Sequence, residues 1–133
     1  MKLLVTGGAG YVGSHCVRAL CAAEHEVVVW DSLALAGHRQ AVDPRAKLID
    51  ADLADTGLLD RTLADGFDGV LHFAAYADVN ESVREPLRYY RNNVMLTVGL
   101  LELMRKHEIR RFVFSSTCAT YGVPRAVPIT EDM

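Results

Sequence analysis

The sequence predicts an α/β fold: a doubly wound parallel sheet with strands in the order 3-2-1-4-5. Three observations carry that prediction. Short β-branched runs alternate with helical patterns along the chain, which marks successive strand–helix–strand units. The central runs are apolar on both faces, as strands buried between two helical layers must be. A glycine-rich turn joins the first run to the first helical pattern. Right-handed crossovers then set the strand order and leave a crevice between strands one and four.

The first strand is Lys2 to Thr6, and the glycine turn leads into a helix from about Tyr11 to Ala23. Val12, Cys16, Ala19, Leu20 and Ala23 recur at helical spacing and form its expected apolar stripe. Glu26 to Asp31 is the second strand, with Val27-Val28-Val29-Trp30 at its centre. A polar loop with Gly37, His38 and Arg39 leads to a short third strand, Lys47 to Asp50. Asp55 suits the N-cap of a helix carrying Leu58, Leu59 and Leu63. Gly69 to Ala75 is the fourth strand. Pro86 fits the first turn of a long helix whose stripe is Leu87, Tyr90, Val94, Val98, Leu101 and Met104. That helix ends near Lys106-His107, where cationic side chains suit the C-terminal dipole. Arg111 to Ser116 is the fifth strand, and a Pro- and Gly-containing loop runs from Gly122 to Met133.

Length and composition narrow the function. A chain of 133 residues fits one domain, expected to be a Rossmann-type sheet that stops before the usual sixth strand. With 50% hydrophobic and 23% charged residues it has enough apolar material for a core. A net charge of -3 argues against a nucleic-acid partner, which needs a basic face. No apolar run reaches the ~18 residues of a membrane span. Met1-Lys2-Leu3-Leu4-Val5 runs straight into structure, so no signal peptide and a cytoplasmic location are expected. Cys16, Cys21 and Cys118 form no CxxC pair and are expected as reduced thiols. No histidine lies near Cys118 in sequence to activate it as a nucleophile, and no residues are assigned to a metal.

Gly7, Gly10 and Gly13 follow a predicted strand and open a helix, the context in which this spacing holds a dinucleotide. Gly7 allows the tight turn, Gly10 admits a pyrophosphate to the backbone, and Gly13 lets helix and strand pack closely. Unpaired N–H groups at the helix start then stabilise the diphosphate. Asp31 ends the second strand, 18 residues past Gly13, where a carboxylate accepts from ribose hydroxyls. It repels the extra phosphate of NADP, and no arginine follows until Arg39, so NAD is favoured. Asp52 follows the third strand, at a height where an adenine amino group is capped. His72, inside an apolar strand, reads as a satisfied core histidine.

Longer stretches point to a family. Thr6-Gly7-Gly8-Ala9-Gly10-Tyr11-Val12-Gly13-Ser14-His15 resembles the opening of the extended short-chain dehydrogenases/reductases, specifically the UDP-glucose 4-epimerases. His72-Phe73-Ala74-Ala75, Glu81-Ser82-Val83 with Pro86-Leu87, and Tyr89-Tyr90-Arg91-Asn92-Asn93-Val94 agree in order and spacing. So does Phe114-Ser115-Ser116-Thr117-Cys118-Ala119-Thr120-Tyr121-Gly122. The resemblance implies that Tyr11 and Val12 offer N–H groups to the pyrophosphate and that Asp31 and Ser32 hold the adenosine ribose. It implies that Asp52 and Leu53 flank the adenine and that Phe73, Ala74 and Ala75 line the cofactor. It further implies that Asn92 reaches the cofactor from the long helix, and that Thr117 is the catalytic position on this chain.

Members of the family exchange the configuration at carbon 4 of a UDP-sugar through a 4-keto sugar, with NAD regenerated in each cycle. Related 4,6-dehydratases carry Asp-Glu after the threonine, where this chain has Cys118-Ala119, so the resemblance points to an epimerase. Many epimerases have lysine where this chain has Ala77, and relatives acting on UDP-pentoses resemble it there instead. The family's Tyr-x-x-x-Lys pair is absent: Tyr121 is followed at that spacing by Arg125, with Pro124 between them. The chain is therefore expected to be an N-terminal portion, inactive alone, of a longer enzyme with a separate substrate domain. A stand-alone NAD-binding module and an NAD-dependent sugar-nucleotide dehydrogenase are the other readings. Family dimers through the counterpart of Pro86–His107 imply a homodimer.

Overall fold

The fold is known from a computed structural model that describes residues 1–35 and 37–132. Five parallel strands, β1 (Lys2–Thr6), β2 (Glu26–Asp31), β3 (Lys47–Asp50), β4 (Gly69–His72) and β5 (Phe112–Phe114), form one sheet in the order β3-β2-β1-β4-β5. That is the order the sequence predicts. β1 lies at the centre, with Leu3 opposite Val27 on one side and Gly69 on the other. Leu4 and Val5 are fully buried there, one toward each helical layer.

Alternation along the strands builds two cores. Leu4, Val28, Trp30 and Val70 pack with Leu59 and Leu63 of α2 (Thr56–Leu63) and with Leu100 and Met104 of α5 (Leu96–Lys106). Val5, Val27 and Val29 pack on the other face with Val17 and Cys21 of α1 (Tyr11–Ala22). α2 starts as expected, with the Asp55 carboxylate accepting from Leu58 N–H at 3.0 Å. Its Asp60 receives Lys106 and His107, each at 2.7 Å, which ties α2 to the end of α5 and holds that carboxyl below its ordinary range. The three cysteines are free. Among the described residues no helix is long and apolar enough to cross a membrane, and no acidic, His and Cys cluster is arranged to hold a metal.

Four expectations are corrected. The buried face of α1 is Gly13, Ser14, Val17 and Cys21, and Val12 is 58% exposed. Gly13 must face the sheet for helix and strand to approach, and that rotates the helix away from the simple apolar count. The long helix is not continuous: α4 (Pro86–Tyr89) passes through a π-helical turn, Tyr90–Met95, before α5. The wider turn shifts the phase of the helix beyond it, so Leu100 and Met104 are buried while Val98 and Leu101 are exposed. Leu87, Tyr90 and Val94, before and within the turn, are exposed as well. A short helix, α3 (Val79–Arg84), stands where the sequence predicts none, capped by Asp78 accepting from Glu81 N–H at 2.8 Å. The strands β4 and β5 end earlier than the apolar runs suggest, and Cys118–Tyr121 forms a 3₁₀ turn. No helix or strand follows through residue 132, and Met133 lies outside the described residues.

Candidate functional site

A cavity of about 540 Å³ opens at the carboxyl ends of β1, β2 and β4. That is where an open parallel sheet leaves a crevice as its crossovers diverge. Gly7, Gly10, Asp31, Ser32, Asp52, Leu53, Phe73, Ala74, Ala75 and Asn92 all line it. Residues far apart in sequence are thus gathered around one cavity.

The glycine turn forms the floor. Gly7 has φ +70°, its N–H donates to the Trp30 carbonyl at 2.8 Å, and its carbonyl accepts from Gly10 N–H at 3.2 Å. A Cβ on Gly13 would collide with that same carbonyl, so the turn closes only over a bare Cα. Gly10 is the N-cap of α1 and brings no side chain to its first amides, and no acidic residue stands in the first turn. Those amides and the dipole behind them are therefore open to an anion. Tyr11 (82% exposed) and Val12 project beside this opening, while Gly13 is buried against the turn. None of these three lines the cavity by its side chain.

Asp31 stands beside the turn at the end of β2. Its carboxylate accepts from Ala9 N–H and from Leu33 N–H, each at 2.9 Å, so it is tied to the glycine turn and to the following loop. A carboxylate has about four lone-pair positions, which leaves capacity for ribose hydroxyls. Asp52 accepts from Ala54 N–H at 2.8 Å, and Leu53 is buried beneath it.

The third wall is largely invisible in the sequence. Asn93 accepts from Tyr76 N–H at 2.9 Å and donates to the Tyr76 carbonyl at 2.9 Å, closing a two-point clamp on the segment after β4. Asn92 Nδ2 donates to the Asn93 carboxamide at 2.9 Å. The π-helical turn lets two consecutive asparagines serve two surfaces, one facing the cavity and one facing Tyr76. Arg88 pairs with Glu81 and lies over the Tyr76 ring, 4.7 Å from its centre, while Tyr89 donates to Glu81 at 2.7 Å. Arg84 is the single cation on the cavity wall among the described residues, and no motif or spacing marks it in the sequence.

Beneath this wall His72, 2% exposed, bridges two threonines. Its Nδ1 lies 2.5 Å from Thr6 Oγ1 and its Nε2 2.9 Å from Thr97 Oγ1. The Thr97 hydroxyl donates to the Asn93 carbonyl at 2.8 Å. The reading of His72 as a hydrogen-bonded core residue matches this geometry.

Thr117 stands apart. It is exposed, follows β5, and is not among the cavity-lining residues. Its Oγ1 accepts from Ala119 N–H at 3.2 Å and caps the 3₁₀ turn. The hydroxyl proton remains free to be donated.

Residues 3–133 match the NAD dependent epimerase/dehydratase family. The chain is 52% identical over 133 residues to a UDP-glucose 4-epimerase of Lactobacillus helveticus, covering 99% of this chain and 40% of that protein. It is 43% identical to a putative UDP-arabinose 4-epimerase of Arabidopsis thaliana, covering 98% of this chain and 32% of the relative. Among solved structures, a UDP-glucose 4-epimerase from Brucella ovis in complex with NAD superposes with a TM-score of 0.90 at 42% identity. That match covers 98% of this chain and 40% of the other. The chain thus spans about 40% of the length of the UDP-glucose 4-epimerases it matches.

Proposed function

The chain belongs to the NAD dependent epimerase/dehydratase family, and we propose that it is the cofactor-holding portion of a UDP-sugar 4-epimerase. The reading is carried by one observation: the glycine turn, Asp31 and the Phe73–Ala75 segment line a single cavity. The residues present fit a dinucleotide. The open α1 N-terminus takes the pyrophosphate through the Tyr11 and Val12 N–H groups, with the bare Gly10 admitting its approach and Gly13 packing helix against strand. Asp31 and Ser32 hold the adenosine ribose, and Asp52 and Leu53 flank the adenine. Phe73, Ala74, Ala75 and Asn92 line the remainder. The chemistry that bound NAD supplies is reversible hydride transfer at a sugar carbon.

Thr117 positions the sugar hydroxyl and donates to it, at the same carboxyl edge of the sheet. The base of the reaction, a Tyr-x-x-x-Lys pair, belongs to the part of the enzyme beyond this chain. The β5 face supports that reading, because Val113 and Phe114 are 55% and 54% exposed and await cover. UDP-glucose/UDP-galactose interconversion, a step of galactose metabolism, is the favoured reaction. The small Ala77 on the cavity wall and the likeness to a UDP-arabinose 4-epimerase support a UDP-pentose as the second choice. Three free thiols favour a reducing, cytoplasmic setting.

Calorimetric titration tests the cofactor reading. NAD is expected to bind the chain, and Asp31→Ala to weaken it about tenfold, the loss of one charge-assisted hydrogen-bond site. Unchanged NAD affinity in the variant, or NADP bound as tightly, would refute the ribose assignment.

The same reading predicts a homodimer. Leu87, Tyr90, Val94, Val98 and Leu101 form an exposed apolar stripe along α4, the π turn and α5, between 40% and 68% exposed. Exposed apolar side chains gathered along one helical segment favour an interface. Sedimentation velocity is expected to show a dimer that Val94→Glu with Val98→Glu converts to monomer; a monomeric parent chain would end the idea.

A further inference from the structure

The register between β2 and β3 sets Asp31 directly beside Asp50. Their Cα atoms are about 5 Å apart, and paired residues on adjacent strands face the same side. Their partners differ. Asp31 turns to the backbone of Ala9 and Leu33, whereas Asp50 takes the guanidinium of Arg39, Nη2 to Oδ2 at 2.7 Å. The loop that carries Arg39 is drawn back over Asp31: His38 N–H donates to the Ala9 carbonyl at 3.1 Å. Gly37 lies so close that a Cβ there would stand 2.7 Å from Asp31 Oδ1. Arg45, the next arginine, is committed to Asp43 and to the Cys21 carbonyl. Arg39 is therefore the arginine of this loop held one strand over from Asp31, and Asp50 holds it.

We propose that the Arg39–Asp50 pair is a second determinant of cofactor choice, with Arg39 a latent ligand for a ribose 2′-phosphate that Asp50 keeps occupied. This rests on the reading that Asp31 faces the adenosine ribose. A 2′-phosphate brings nearly two negative charges toward two carboxylates one strand apart. An arginine fork can clamp such a phosphate at two points, but only when it is not already neutralised. Arg39 and Asp50 are largely in solvent, with side chains 62% and 48% exposed, so their pair is weak and the arginine easily released. Removing Asp31 alone deletes one repulsion and leaves Arg39 engaged. Removing both carboxylates frees the fork.

The test is a titration of NAD and NADP against four forms of the chain: unsubstituted, Asp31→Ser, Asp31→Ser with Asp50→Asn, and that pair with Arg39→Ala. Asp31→Ser is expected to raise NADP affinity about threefold, and adding Asp50→Asn to raise it about threefold more, the size of an exposed ion pair. Arg39→Ala should remove most of that added gain, leaving only what the lost Asp50 charge contributes. A gain that survives Arg39→Ala in full overturns the proposal, because charge removal would then be the whole effect. So does NAD binding with no NADP gain from Asp50→Asn. A chain that binds neither dinucleotide in any form overturns the cofactor reading as well, so the two failures are told apart.

Discussion

Gly7→Ala is expected to destabilise the chain by about 2–4 kcal/mol and to weaken NAD binding at least tenfold. Two costs add at this position. The residue sits at φ +70°, where a Cβ costs about 1 kcal/mol. That Cβ would also lie 2.5 Å from Ala74 N and 2.7 Å from the Phe73 carbonyl carbon. These are backbone atoms of the segment clamped by Asn93, so no side chain can swing aside, and overpacking of this kind costs about 1–3 kcal/mol. The displaced atoms belong to the cavity wall, so the structural cost and the binding loss share one cause. Gly66 supplies the control. It has φ +79° but nothing within 4 Å of its would-be Cβ. Gly66→Ala should therefore cost only the conformational part, about 1 kcal/mol. Urea unfolding of both variants separates the two contributions. Equal losses would show that the close approach to Ala74 contributes nothing.

The same glycine turn shows how much of the molecule is legible in its sequence. The strands are legible because a parallel sheet covered on both sides demands unbroken apolar runs, as Val27–Trp30 displays. The turn and Asp31 are legible because backbone sterics fix both residue type and spacing. The helix faces mislead for a physical reason. Apolar counts assume an uninterrupted period and a free choice of face, but Gly13 dictates the face of α1 and the π turn shifts the phase of α5. α3 escapes notice because its residues, Val79 and Val83 included, are mostly exposed and leave no buried stripe. The Asn93–Tyr76 clamp is out of reach altogether, since it joins residues 17 apart by carboxamide geometry that no periodicity encodes. Asn92 and Glu81 are marked only by the family resemblance, and Arg84 gains its place from the fold of α3.

The second large effect concerns His72 and acidity. Burial pushes its pKa down to about 4. Its proton location is set by its neighbours. The single Thr97 hydroxyl proton goes to the Asn93 carbonyl, so Thr97 Oγ1 must accept, and His72 carries its proton on Nε2. Nδ1 is then the acceptor for the Thr6 hydroxyl. The folded chain keeps this imidazole neutral down to about pH 4, whereas in the unfolded chain it protonates near 6.5. Below 6.5 the unfolded state thus holds the extra proton, and stability falls as pH falls. The contribution is complete above about pH 6.5 and lost progressively down to about 4. Each pH unit in that window costs about 1.4 kcal/mol, so on the order of 3 kcal/mol is lost across it. Urea unfolding between about pH 4 and 7 should show this slope, and His72→Gln should flatten it by that amount relative to the parent, whatever other groups titrate alongside. Nitrogen-15 shifts of the ring at neutral pH should show the proton on Nε2. A proton found on Nδ1, or parent and variant slopes that coincide, would dismantle the chain of hydrogen bonds from Thr6 through His72 and Thr97 to Asn93. That chain links the centre of the sheet to the clamp on Tyr76, so acid that protonates His72 is expected to loosen the cavity wall before the sheet itself gives way.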